Sequence, residues 1–304
     1  MNQPPPIFIL APPRSYTSLI NAMLGQHPEC FGLPELMLFN VDHLKDLWEE
    51  ASDEVGADSN RRHGLLRTVA EIYAGEQGAD AIEMAGHWAL RRREMDTRDV
   101  YREIRDQIAP LRIVEKSPAY TIEIRRMQKM LEAFPEAYFI HLVRHPIPQC
   151  KSVMNLNHGI FALFVNAIEY GDDTANIEPQ IAWHDLNINI LRFLEQVSPE
   201  RQLRLRGELL MAEPERHLRE ICRWIGLRDD EAAMAAMMHP ENSPFACFGP
   251  VDALFGNDPN FLRRPNFKPH EPQLPALDSP LEWREDRAPL RPEVIDLAQT
   301  FGYE

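Results

Sequence analysis

This sequence predicts an α/β fold, a parallel sheet covered by helices on both faces, and three stretches carry the prediction. "IFILAPPRSYTSLINAML" near the start and "AYFIHLVRHPIPQCKSVMN" from Ala137 share one grammar: a short apolar run, a proline-containing turn, then a helix. Between them, "LRIVEKSPAY" reads as a third short strand ended by a turn at Ser117-Pro118. Strands that alternate with helices in this way assemble as parallel βαβ units.

Ile7 to Ala11 is almost wholly apolar, as a strand buried on both faces must be, and Pro12-Pro13 ends it. Leu19, Ile20, Met23 and Leu24 then recur at helical spacing until His27-Pro28 stops the helix. From about residue 41 to 110 the chain is charged and helical in pattern, with "RRHGLLR" and "ALRRREMDTRDVYREIR", which suits a solvated helical insertion over a sheet edge. The next strand runs from Tyr138 to Val143. Leu186, Ile190, Phe193, Leu194 and Val197 mark one amphipathic helix; Leu218, Ile221, Cys222 and Ile225 mark another, which Gly226 is placed to end. Met238 to Pro292 holds 11 of the 26 prolines and few periodic runs, the signature of a long binding loop or lid, here about 238–290. The final helix has Pro292 in its first turn and Val294, Leu297, Ala298 and Phe301 on one stripe. One domain over 1–304 is the simplest organisation.

Composition excludes several classes of function. The 304 residues are 44% apolar and 26% charged, ordinary for a globular chain, with a net charge of −15. So acidic a protein does not recognise nucleic acid or an anionic membrane through a broad basic face, and any anion must be gripped locally. Cys30, Cys150, Cys222 and Cys247 lie far apart without a CxxC pair, so they read as reduced, mostly packed thiols rather than zinc ligands or disulfides. With no membrane-length apolar run and no signal-like start in "MNQPPP", a cytoplasmic protein is expected.

A loop between a buried strand and a helix leaves the first helical N–H groups free and aimed at one point, where the helix dipole favours negative charge. In "PPRSYTSL", Arg14 adds a two-pronged cation and Ser15, Thr17 and Ser18 add hydroxyls. The loop lacks the GxxxxGK[ST] of a nucleotide triphosphatase. In "HLVRHPIPQCKS", Arg144 ends a second strand and Ser152 follows eight residues on, so both can face the same region. Two such turns in one sheet suit a ligand with two separated phosphate-like ends.

At these residues the chain resembles the sulfotransferases that use 3′-phosphoadenosine-5′-phosphosulfate (PAPS). "PPRSYTSL…HP", "EKSP", "FIHLVRHP" and "LREICRWIGL" stand in that family's order, while "EKSPAY", "DPNFL" and "VIDLAQTFGY" resemble the sulfotransferase domains of polyketide synthases. The resemblance implies a P-loop-like three-layer fold. It implies that Arg14, Ser15, Tyr16, Thr17 and Ser18 hold the 5′-phosphosulfate, that Arg144 and Ser152 hold the 3′-phosphate, and that Arg263, Arg264 and Lys268 in "FLRRPNFK" close over the nucleotide. It further implies 3′,5′-adenosine bisphosphate as product and no metal requirement. The acceptor is a hydroxyl of a small molecule or of a carrier-tethered chain, with an acyl carrier protein among the partners so implied. Tyr16 departs from the family, which has glycine there; it must fit an ordinary backbone conformation or point its ring away, and a side chain facing the acceptor or adenosine is expected.

Sulfuryl transfer needs a cation on the leaving side and a base on the acceptor side. Arg14 and Lys116, the latter in a turn resembling the family's EKTP, are the candidate cations; Lys116 as a solvated lysine is the alternative. Glu35 is the candidate base, 21 residues after Arg14 in the apolar "GLPELMLF", a spacing like that of the tyrosylprotein sulfotransferases. A capping role after Pro34 is its alternative. His141 lies inside a strand and reads as a core histidine, His27 as a helix end and Glu208 as structural, whereas His87, His158 and His270 are unassigned. Sulfonation of an amine, an inactive nucleotide-binding scaffold and a small-molecule kinase are the competing functions.

Overall fold

A computed structural model describes residues 3–49, 60–156, 165–170 and 175–304. Five parallel strands form the sheet: β1 (Ile7–Leu10), β2 (Cys30–Gly32), β3 (Arg112–Glu115), β4 (Tyr138–Val143) and β7 (Gln202–Arg206), in the order β2-β3-β1-β4-β7. The chain leaves β1 toward one edge, returns beside it at β3 and crosses to β4 on the other side, which makes the β1 end a topological switch point where open parallel sheets bind ligands. A small antiparallel pair, β5 (Ile168–Tyr170) and β6 (Ala175–Ile177), lies outside the sheet.

Helices α1 (Thr17–Gly25), α2 (Asp46–Glu49), α3 (Asn60–Ala74), α4 (Ala79–Leu90), α5 (Thr97–Ile108) and α6 (Ile124–Ala133) precede β4. After it come α7 (Pro146–Met154), α8 (Pro179–Leu194), α9 (Gly207–Ala212), α10 (Pro214–Ile225), α11 (Glu231–Met237), α12 (Pro259–Arg263) and α13 (Pro292–Thr300). Helices α3–α5 fill most of the stretch between β2 and β3. Asp96 caps α5 by accepting from the Arg98 N–H at 2.8 Å, and Val100, Tyr101, Ile104 and Ile108 turn its buried stripe inward.

Alternation along β1 explains the layers. Phe8 enters an aromatic cluster with Phe39, Tyr101, Phe134 and Phe139, ring centroids 5.7–6.2 Å from its own, under helices α3–α5. Ile7 and Ile9 point the other way, to Ile20, Met23, Leu218 and Ile221 of α1 and α10. Each such fully buried side chain contributes about 1.5–3 kcal/mol. The α10 stripe ends at Gly226, whose φ of 73° is left-handed, as its placement predicts. Strands β2 and β7 carry weaker sequence signals: one is three residues long, and the other, "QLRLR", exposes arginines because it is an edge. All four cysteines are free thiols, three buried and Cys247 exposed. No helix among the described residues is long and apolar enough to cross a membrane.

Candidate active site

The β1–α1 turn and the β4–α7 turn meet at the carboxyl end of the sheet. Arg14, Ser15, Tyr16, Thr17, Ser18, Arg144, Ser152 and Arg264 all line one cleft of about 330 Å³, together with Asp258, Asn260, Phe261 and Asn266 of the lid. Arg14 donates from Nε to the Ser152 hydroxyl at 3.0 Å, so the two turns are directly joined, and its Nη1 forms an ion pair with Asp258. Arg144 donates to the Arg14 carbonyl at 2.5 Å, while its own carbonyl accepts from the Trp183 indole at 2.9 Å. Gln149 adds a third tie by donating to the Pro13 carbonyl at 2.6 Å. Burial first, and Arg144 second, hold the Arg14 guanidinium below its usual range, the mark of two cations crowded together out of water. Among the described residues, the fully buried Ser15 hydroxyl and the Arg144 Nε have no hydrogen-bond partner. Those orphaned donors and the surplus of positive charge fit an anionic ligand.

Tyr16 corrects the sequence expectation. Its φ of 63° and ψ of 10° are left-handed, not an ordinary conformation, and Arg14 has φ 66° beside it. The half-buried residue lines the cleft, and the Arg144 guanidinium lies 4.3 Å from its ring centroid. On another side it packs on Gly207, where an added Cβ would stand 2.6 Å from Tyr16 Cδ2. The cation–π contact, worth about 0.5–2 kcal/mol, offsets a left-handed cost of roughly 1–2 kcal/mol. Tyrosine is thereby held where glycine would be relaxed.

Glu35 and Lys116 form an ion pair at the neighbouring strand ends. The Lys116 side chain is 0% exposed and that of Glu35 22%, so the lysine is no solvated strand-end cation. Glu35 lies in the loop after β2, outside any helix, and therefore caps none. Its N–H donates to the Gly256 carbonyl of the lid at 2.7 Å. Two residues later, the Asp258 N–H donates to the Ser18 hydroxyl at 3.1 Å while its carboxylate pairs with Arg14. Residues 256–258 thus bridge the pair to the cleft across at most about 7 Å of chain.

The remaining candidates separate clearly. Arg263 and Lys268 are exposed and outside the cleft that Arg264 lines. His141 is fully buried, bonds Asn187 at 2.9 Å, and is pushed down to about 4 by burial. His27 ties the α1 end to the Arg228 carbonyl at 2.9 Å. Glu208 accepts from the His145 N–H at 2.9 Å and the Tyr303 hydroxyl at 2.8 Å, a structural role. His87 and His270 are exposed, and His158 lies outside the described residues. Phe245 is packed into the core under the lid, whereas Phe261 lines the cleft. Among the described residues no group of three or more His, Cys, Asp or Glu side chains is arranged to hold a metal ion.

Several residues around the site are not singled out by sequence. Asp258 is one, although "DPNFL" contains it. Arg67 is another: fully buried, it donates to the Gln77 side chain at 2.5 Å and the Phe255 carbonyl at 2.8 Å, pinning the lid to α3. His63 Nδ1 accepts from the Phe255 N–H at 3.2 Å beside it. Gly64 is the third, since a Cβ there would sit 2.7 Å from the Glu35 carbonyl carbon and still nearer its oxygen.

Residues 5–231 match the model of the Sulfotransferase family. A 120-residue stretch, 39% of the chain, is 29% identical to the omega-hydroxy-beta-dihydromenaquinone-9 sulfotransferase of Mycobacterium tuberculosis, and the match spans only 30% of that relative's length. Over its full length the chain is similar in structure to the sulfotransferase domain from the curacin biosynthetic pathway, with 26% identity, TM-score 0.74 and 99% of that domain covered. It is comparably similar to the sulfotransferase domain of the Synechococcus PCC 7002 olefin synthase, at 25% identity, TM-score 0.72 and 97% coverage.

Proposed function

The chain belongs to the Sulfotransferase family, and from that premise we propose that it moves a sulfuryl group from PAPS to a hydroxyl of a small or carrier-tethered acceptor. The observation that carries the reading is the 256–258 bridge, which holds the Glu35–Lys116 pair and the Arg14–Arg144 cleft on one piece of backbone.

PAPS, when bound, supplies an activated sulfuryl group on a phosphate leaving group. In this proposal Arg14, Ser15, Tyr16, Thr17 and Ser18 seat its phosphosulfate end, and Arg144 and Ser152 its 3′-phosphate, with Arg264 at the mouth of the cleft. Arg263 and Lys268 sit on the same lid segment and act at longer range. Glu35 accepts the proton of the acceptor hydroxyl. Lys116, buried and paired with Glu35, holds that carboxylate in place and offsets the negative charge that builds up on the leaving side together with Arg14. A carrier-tethered acceptor is favoured by the similarity to a sulfotransferase domain from the curacin biosynthetic pathway and to one from an olefin synthase.

Calorimetry without magnesium tests the reading. Micromolar binding of 3′,5′-adenosine bisphosphate with little binding of ATP is expected, whereas ATP binding with none of the bisphosphate would overturn it in favour of a kinase.

A further inference from the structure

We propose that Glu115, the acid of the EKSP turn, is a positioning residue for the Glu35–Lys116 pair, which holds the Glu35 loop in register from inside the core. The proposal rests on the reading of that pair as the reacting groups.

Glu115 is 0% exposed, yet no cation bonds it, since the adjacent Lys116 turns its ammonium to Glu35. Its Oε1 instead accepts from the Leu36 N–H at 3.3 Å and from the Ser117 hydroxyl at 2.6 Å. That same hydroxyl oxygen accepts from the Met37 N–H at 3.3 Å. The two amides immediately after Glu35 are therefore both fastened to the EKSP turn. Met37 has a φ of 59°, a left-handed conformation that a non-glycine residue keeps only where its surroundings enforce it. These bonds, with the Gly256 carbonyl on the Glu35 N–H, fix three successive backbone amides around the carboxylate.

The acid is an expensive way to fill this volume. Among the described residues neither Glu115 Oε2 nor the buried hydroxyl of Tyr101 has a hydrogen-bond partner. A hydrocarbon side chain would avoid that cost but would leave the Leu36 amide and the Ser117 hydroxyl unanswered. Burial pushes the Glu115 carboxyl up to about 8, against the opposing pull of Ser117, the Leu36 amide and Lys116, with Glu35 pushing the same way as burial. The charged and titratable groups facing it are thus Lys116, Glu35, Tyr101 and Tyr120. Burial thus favours the uncharged form of this clamp. When it ionises, a second carboxylate competes with Glu35 for one ammonium, and turnover falls.

The test uses the full chain with Ser117→Ala and Glu115→Gln, each first checked by thermal melting. Three quantities are read: bisphosphate affinity, exchange of the Leu36 and Met37 amides, and bisphosphate release from PAPS with water as acceptor, as a function of pH. Ser117→Ala should leave bisphosphate affinity within about twofold, speed exchange at Met37 and cut turnover by up to about 10²-fold, the usual cost of ångström-scale misplacement. Glu115→Gln, which keeps shape and acceptor but cannot ionise, should abolish the alkaline fall centred near pH 8. Superimposable pH profiles for wild type and Glu115→Gln, or unaltered Met37 exchange and turnover in Ser117→Ala, would overturn the proposal. If the wild type bound no bisphosphate, the failure would lie with the sulfotransferase reading itself.

Discussion

Gly64→Ala is a substitution whose expected sign reverses because of one close approach. Gly64 is in the interior of α3, where exchanging glycine for alanine normally stabilises a helix by about 1 kcal/mol. Here the new methyl would stand 2.7 Å from the Glu35 carbonyl carbon and 3.2 Å from its nitrogen, all backbone atoms that cannot rotate aside. Gly256 closes the other side, with its own virtual Cβ 3.0 Å from Gly64 Cα and a φ of 103°. Relief requires a shift on the order of 1 Å, and overpacking of this kind costs about 1–3 kcal/mol. After the helix gain is subtracted, a net loss of up to about 2 kcal/mol remains, at most a few degrees in Tm for a chain of this size. The displaced group is the proposed base, so turnover should fall on the order of 10²-fold. Bisphosphate affinity should hold, because Gly64 does not line the anion cleft. Thermal melting, turnover and calorimetry on one preparation measure all three. A variant more stable than wild type and equally active would refute the reasoning.

Other substitutions address the site separately. Glu35→Gln should keep bisphosphate affinity while turnover drops by roughly 10²–10⁴, the value of a positioned base; unchanged turnover would remove Glu35 from the role. Arg144→Ala should weaken bisphosphate binding by tenfold or more, on the order of 1.5–3 kcal/mol for a lost charge-assisted contact, as read by calorimetry. Acid stability should carry the trace of His141, which is held at about 4 by burial in the folded protein. The unfolded chain takes up that proton first, near pH 6.5, so the contribution is complete above 6.5 and is lost as pH falls toward 4. Its size is about 3 kcal/mol, and denaturant melts of His141→Gln should show a shallower pH dependence across that window.

What the sequence makes legible is whatever depends on local pattern. The β1–α1 and β4–α7 units, the α10 stripe and its Gly226 terminator follow from spacing and breaker residues, because period and φ preference are properties of a few neighbours. The meeting of Arg14 with Ser152, and of Glu35 with Lys116, was open to inference only through the parallel βαβ grammar and a family likeness. The left-handed backbone of Tyr16 is not legible locally, because Gly207, on which its ring packs, lies 191 positions away. Gly64 and Arg67 sit in a helix whose charged composition reads as a solvated face. Their importance comes from backbone and lid atoms that pass over α3, which only tertiary structure supplies. The same holds for Glu115, an acid whose neighbours in sequence do not disclose that it is buried.

The Tyr16–Gly207 contact also bears on how such a chain can change. With the ring in place, residue 207 has room for no side chain, and without the ring it has room for one. A ring at 16 and a side chain at 207 thus compete for one volume, so transplanting the β1–α1 loop into another chain requires moving both residues together.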